Sequence, residues 1–385
     1  MPKSILRRLT KRILITTNLV AAALFTIGCY SEWFFSANWW PVGFLTISLF
    51  YILIVLLAFF IFWLFVKAGW SLIFVVTAAI SFKHIRNIIP FRATSDFNMQ
   101  KQAGALRIMD WNVAQFNILE TKQNPATHQQ MIQLINEYQP DIACFQEMVC
   151  ADTLVDINTP YYHKYSFFPV YYFVDVLHLP YYFYTYDFKD DFMQRQHFGI
   201  IIFSKYPIIN KQTISNYPHD YNSVFQYADI VKEKDTFRVF NIHLQSLKFS
   251  LSNLKYIDNP SLGTDPGLAK SKSVLSKFKT GFLKRQVQAD NVRIEIDKSP
   301  YPVIVCGDFN DVPNSYPYET IGRGLQDAFV EKGSGMGRTF SGISPTLRID
   351  NIFVDKRYKV EQFFRIAKKL SDHFPLITDL TKQPE

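Results

Sequence analysis

The 25 residues from Val42 to Val66 contain no charge and no proline. As a helix such a run is about 37 Å long, more than the roughly 30 Å of a bilayer's hydrocarbon core. It is apolar around its whole circumference, which predicts a transmembrane helix. An apolar stretch over residues 13–30 precedes it, and between Ile13 and Val66 the one charged side chain is Glu32. A cleaved signal peptide is the competing reading of that first stretch. A second long apolar segment follows directly, however, and residues 31–40 offer no small-residue cleavage site. Trp33, Trp39 and Trp40 fit an aromatic belt beside a short outer loop.

A third uncharged segment, residues 68–82, is shorter and either crosses the bilayer or lies along its surface. Three spans are expected. Lys3, Arg7, Arg8, Lys11, Arg12 and Lys67 would then share the inner side, against Lys83, Arg86 and Arg92 just beyond the last span. The chain is therefore expected to be a multi-pass protein of the cell membrane, with the lipid bilayer as its partner and everything after Lys83 outside the cytoplasm.

The pI of about 9.1 and net charge of +8 would ordinarily suggest a polyanionic partner. Residues 1–101 hold ten basic and two acidic side chains, which accounts for all of it. The remaining 31 basic and 31 acidic residues cancel, so the basicity belongs to the anchor and marks no substrate. The four cysteines, Cys29, Cys144, Cys150 and Cys306, form no CxxC pair and no zinc spacing. Residues 1–92 read as the anchor, with helices near 13–30, 42–66 and 68–82, and residues 93–104 as a linker. From 105 to 385 short β-type runs alternate with helical stretches, the pattern of an α/β domain.

Several polar side chains stand at the ends of apolar strands in that domain. A strand over residues 106–111 leads to Asn112, one over 141–146 to Glu147, and one over 237–242 to His243. A β-branched strand over 303–306 ends in Gly307, followed by Asp308 and Asn310, which alternation would point the same way. A carboxylate and a carboxamide so placed suit the orientation of a water molecule against an electrophile. Asp350 lies on a further strand, and Asp372 and His373 are adjacent. Taken singly, each of these residues is as well explained by a solvated strand end.

Their order is more informative. With the motifs WN, QE, NIHL, GDFN, RIDNIF and SDHFP, residues 105–381 resemble the endonuclease/exonuclease/phosphatase superfamily. The resemblance implies a fold of two packed mixed β-sheets with helices on both outer faces and a site at one end. It implies that Glu147 binds a divalent cation, with Asn112 and Asp372 as ligands or water-mediated contacts. Asp308 would position or deprotonate the attacking water, and Asn310 would orient the phosphate. His243 and His373 would contact phosphoryl oxygens, with Asp350 setting the tautomer of His373. Oxygen and amide donors select a hard ion, Mg²⁺ or Mn²⁺. An ordinary aspartate is ionised at neutral pH, so Asp308 is expected to act without special tuning. Asp350 should raise the pKa of His373 and favour its cationic form.

The implied activity is metal-dependent hydrolysis of a phosphate ester, with a lipid headgroup or a small phosphodiester as substrate. A nuclease is the alternative, which the neutral domain disfavours, and a non-catalytic tethered binding module is the third reading. Two stretches bear on specificity. Residues 269–289 hold six basic side chains and no acid, the composition of an amphipathic helix with a basic face that is solvated or meets anionic groups. Residues 161–192 are rich in Tyr and Phe, which suits core packing or a loop dipping into a bilayer surface.

Overall fold

The computed structural model describes residues 3–35, 38–93, 96–120, 126–151, 168–190, 196–215, 224–247 and 265–383. The anchor begins with α1 (Lys3–Cys29), a short α2 (Ser31–Phe34) and α3 (Val42–Val66). Among the described residues, Leu6–Cys29 and Val42–Val66 are each long and apolar enough to cross a membrane. The first helix starts ten residues before the expected position 13, because lysine and arginine are good helix formers. Gly28 lets α1 approach α3 closely, since a Cβ there would lie 2.9 Å from Leu49.

The third segment departs from a single helix over 68–82. A 3₁₀ turn (Ala68–Ser71) leads into α4 (Leu72–Ile80), the helix breaks at Ser81, and α5 (Phe82–Ile88) leaves at 76°. Phe60 meets Phe74 with ring centroids 4.9 Å apart, so α4 runs back along α3. The break is held by Tyr30, whose hydroxyl donates to the Ile80 carbonyl at 2.7 Å and whose ring meets His84. The loop after α1 and the start of α5 therefore lie together at one end of the anchor.

Two six-stranded mixed sheets form the remainder. The first has the order β11-β12-β1-β2-β4-β3 and the second β5-β6-β7-β8-β10-β9. Their strands are β1 (Leu106–Asn112), β2 (Ile142–Ala151), β3 (Tyr181–Asp190), β4 (Gln196–Ser204), β5 (Ile208–Ser215) and β6 (Val224–Lys232). The others are β7 (Asp235–His243), β8 (Val303–Asp308), β9 (Gln326–Asp327), β10 (Asp350–Val354), β11 (Tyr358–Arg365) and β12 (Leu376–Lys382). The central pairs β1/β2 and β7/β8 are parallel and the rest antiparallel. Strands β1 and β8 are buried along their whole length, which explains why they read as nearly continuous apolar runs.

Ile108, Ile142, Ile202, Val239, Ile304 and Leu380 fill the space between the sheets. Helices α6 (Thr127–Tyr138) and α7 (Val170–Leu177) cover the outer face of the first sheet. The long α8 (Asp265–Asp297) and α9 (Tyr316–Gly322) cover the second, and α10 (Ala328–Lys332) packs on β11. Parts of the aromatic stretch, residues 161–167 and 191–192, lie outside the described residues. Phe168, Tyr172 and Phe173 surround the buried His128, so these rings serve packing. Burial lowers the pKa of His128 to about 4 and keeps it neutral.

The anchor is fastened to the second sheet. Asn314, fully buried, accepts from Asn87 Nδ2 at 2.8 Å, lies 3.1 Å from His84 Nδ1, and donates to the His84 carbonyl at 3.0 Å. Its own carbonyl accepts from Ser31 at 2.7 Å. Glu319 takes Lys83 at 2.9 Å, and Arg348 donates to the Asn87 carbonyl at 2.8 Å. Residues 98–101 of the expected linker are also pinned, by Arg107, Gln362 and Asp141.

Candidate active site

Register places the acid–base groups. In the second sheet His243 pairs with Asp308 across β7/β8, and Asp308 pairs with Asp350 across β8/β10, so all three share one rung. Gly307 makes that rung accessible to the chain: its φ is +149° and a Cβ there would lie 2.1 Å from the Ile242 carbonyl. Thr339 Oγ1 accepts from the amides of Ile349 and Asp350 and fixes the start of β10. His373 arrives from the segment before β12. Its Nδ1 lies 2.9 Å from Asp350 Oδ2, and its Nε2 lies 3.8 Å from Asp308 Oδ2. The Trp111 indole donates to its carbonyl at 2.9 Å and Phe340 packs on its ring.

The first sheet contributes from irregular backbone. Asn112 ends β1 as expected, and its Nδ2 donates to Asp308 Oδ2 at 3.1 Å across the gap between the sheets. Glu147 does not follow β2 but lies inside it, at a register shift between Phe145 and Met148, with φ of +51°. Such a bulge re-aims one side chain, and a left-handed non-glycine residue costs of order 1 kcal/mol or more. After β1 the residues Ala114 to Asn117 also carry positive φ, from 41° to 55°, and present Gln115, whose Nε2 donates to Glu147 Oε2 at 2.8 Å.

Asn310 departs from the alternation expected of it. Strand β8 ends at Asp308, and the Asn310 amide turns back to donate to Asp308 Oδ1 at 2.8 Å. The Asn310 side chain, at φ +51°, donates to the Leu244 carbonyl at 2.9 Å. The pair is thus joined by a local side-chain turn instead of sharing a strand face. Asp372 is exposed, with Ser371 donating to it at 3.1 Å.

The site was only partly legible from strand ends. Beneath it Gln146 Nε2 donates to Asp110 at 2.8 Å and to Asn241 Oδ1 at 2.7 Å, and Asn241 Nδ2 donates to the Phe145 and Ile201 carbonyls. This buried amide network ties the two sheets together. Its members sit two residues from Asn112 and His243 and one from Glu147, a spacing that alone signals little.

Charge is unbalanced in the site. Burial, then the nearby Asp350, push the Asp308 carboxyl up to about 7, against the pull of His373. The expectation that Asp308 needs no tuning is therefore corrected: desolvation and a like charge tune it. Burial and the Asp372 charge likewise raise Glu147, and burial with Asp350 raises Asp110 well above the usual range. Burial opposes charging of His373, but Asp350 and Asp308 outweigh it and hold the imidazole protonated, as expected. His243 Nε2 lies 3.7 Å from Asp308 and 3.9 Å from Glu147. Ligand atoms of Asp308, Asp350 and His373 lie within 4.8 Å of one another. Carboxyls raised first by burial and then by neighbouring negative charge, as Asp308 and Glu147 are, fit a divalent cation, which would favour their ionised forms.

A family model described as "Endonuclease/Exonuclease/phosphatase family" matches residues 111–373. That is more than half of the chain, which belongs to this family of hydrolases. A second model, described as "Domain of unknown function (DUF8431)", matches residues 11–88. No curated protein matches the chain. Similar solved structures include an endonuclease/exonuclease/phosphatase from Beutenbergia cavernae DSM 12333, at 15% identity and TM-score 0.48, over 74% of this chain and 72% of that one. A family protein from Bacteroides thetaiotaomicron has 18% identity and TM-score 0.48, over 74% of this chain and 100% of that one. The human Nocturnin catalytic domain with bound sulfate has 18% identity and TM-score 0.47, over 74% and 97%.

Proposed function

We propose that this family member is a membrane-anchored phosphoesterase that hydrolyses a phosphate ester by in-line attack of water. The observation that carries the reading is the convergence on Asp308 Oδ2 of Asn112 at 3.1 Å, His243 at 3.7 Å and His373 at 3.8 Å, from three separate segments. A carboxylate with a pKa of about 7 is a stronger proton acceptor than an ordinary one, which suits Asp308 to align and deprotonate the water. His373, held cationic with Nδ1 toward Asp350, directs Nε2 at the space where phosphoryl oxygens gather charge. His243 closes the same space from β7, and Asn310 orients the ester from the turn after β8.

Glu147, Asn112 and Asp372 would hold a hard divalent cation, Mg²⁺ or Mn²⁺. When bound, it supplies positive charge to the phosphoryl group and leaving oxygen. The anchor orientation supports an extracytoplasmic site. Arg7 and Lys11 of α1 border one cleft with Lys67, at the opposite end of α3 from the catalytic domain. The positive-inside rule puts that basic end in the cytoplasm.

The test uses the full chain in detergent micelles with Mg²⁺ or Mn²⁺, against bis-nitrophenyl phosphate, phospholipids and single- and double-stranded nucleic acid. Turnover of the first two, reduced at least about 10³-fold in Asp308→Asn with unchanged circular dichroism, is the expected result. Turnover of nucleic acid alone would favour the nuclease alternative, and no loss in Asp308→Asn would reject this site.

A further inference from the structure

The site end of the domain faces the anchor. The turn 309–315 carries Asn310 and Asn314, and Asn314 holds Ser31, His84 and Asn87. The loop 340–348 begins with Phe340, packed on His373, and its Ser344 hydroxyl hydrogen-bonds Tyr51 of α3 at 3.0 Å. Tyr51 lies nine residues into α3, about 13 Å along the helix from Val42. Two loops that border the chemistry therefore rest on a helix whose continuation exposes Ile54, Val55, Leu57 and Ile61.

Helix α8 meets α3 at its first turn. Phe44 contacts Phe278 and Phe282 with centroids 5.0 and 5.5 Å apart, and a Cβ on Gly43 would lie 2.7 Å from the Phe282 ring. Lys279 Nζ sits 5.9 Å from the centre of the Trp40 ring. At about 100° per residue, Leu275, Phe278 and Phe282 fall within roughly 60° of one another. Lys272 and Lys279 flank this stripe within about 60° of Leu275 on one side, and Lys270 lies about 80° beyond Phe278 on the other. The stripe continues past α3 to Leu275, which is 48% exposed, and Lys270, Lys272 and Lys279 are exposed beside it. An apolar stripe with exposed lysines along one edge and a further lysine beyond the other is the pattern of a helix lying in a bilayer surface, with its ammonium groups at phosphate level. Farther along, α8 holds the site: Lys284 donates to Gln245 Oε1, Arg285 to the Gln245 carbonyl and Asp311, and Gln288 accepts from the Gln245 amide.

We propose that residues 270–279 of α8 are a second membrane contact that binds the headgroups of anionic phospholipids, so that the active site opens onto the lipid surface and takes a membrane-held phosphate ester. The α8 contact stands on the anchor geometry; the substrate class rests on the phosphoesterase reading. Charge complementarity selects the lipid, since residues 269–289 contain no acid. The stripe also joins α3 directly, through Phe278 and Phe282 packed on Phe44.

The test uses the full chain in nanodiscs carrying a doxyl-quencher lipid. The four native cysteines are buried, so Leu275→Cys or Ser273→Cys places one fluorophore on the stripe or, about 160° around the helix, on the opposite face. In discs containing phosphatidylglycerol the Leu275→Cys label should be quenched and the Ser273→Cys label should not. Adding Lys270→Glu, Lys272→Glu and Lys279→Glu should lower the ratio of quenched to unquenched label at least about tenfold, and pure phosphatidylcholine should lower it too. Equal quenching of the two labels, or no effect of charge reversal, overturns the lipid contact. The same triple variant should keep its rate on bis-nitrophenyl phosphate and lose rate on phospholipid; unchanged phospholipid turnover overturns the substrate assignment. If the unaltered chain hydrolyses neither compound, the phosphoesterase reading fails, while the quenching pattern still decides the helix contact.

Discussion

The two sheets supply the site in different ways. The second sheet delivers His243, Asp308 and Asp350 from regular strands, on one rung set by ordinary register. The first delivers Glu147 through a bulge and Gln115 through a left-handed turn, both of which carry backbone strain. In the proposed mechanism the regular half holds the buried groups that would exchange protons. The irregular half holds Glu147, the carboxylate that would meet a cation, aimed by its bulge.

The contrast can be broken most strongly on the regular side. Replacing Asp350 by Asn should lower turnover about 10²- to 10³-fold, because His373 loses the charge that keeps it protonated; the pH–rate profile should show that group titrating at lower pH. Next comes the proton linkage of Asp308. Its folded pKa of about 7 lies above the ordinary value, so its contribution to the metal-free protein's stability is present in acid and lost as pH rises through 7. A cation held beside Asp308 would favour its ionised form, so affinity for Mn²⁺ measured by calorimetry should fall as pH drops below 7, by at most about tenfold per pH unit. On the irregular side, Gln115→Ala should weaken metal affinity about tenfold by freeing Glu147, with little change in turnover at saturating metal. The smallest effect is on stability. Glu147→Gly should raise the melting temperature by relieving about 1 kcal/mol of left-handed strain, while abolishing metal-dependent activity.

The same contrast explains what could be read in advance. Asn112, His243 and Asp308 stand at the ends of periodic apolar runs, and periodicity locates such ends well. Glu147 reads as a strand end in the sequence because nothing local distinguishes a bulge from a terminus; the shift is defined by pairing with β4. Alternation puts Asn310 on a strand face with Asp308, but it takes no account of an aspartate oxygen that captures an amide two residues on. Gln146 and Asn241 stand in the QE and NIHL motifs, but their hydrogen bond gains meaning only when two sheets bring the two amides together. The break at Ser81 has no local signal for a similar reason: Tyr30, fifty residues before Ile80, holds it.

Asn314 joins the last turn of the anchor to the turn that bears Asn310, through four hydrogen bonds with Ser31, His84 and Asn87. A domain held this way does not swing on a leash. If α3 is set in a bilayer as proposed, the reach of the domain would be a fixed height above that plane, and esters carried farther away would pass beyond its grasp.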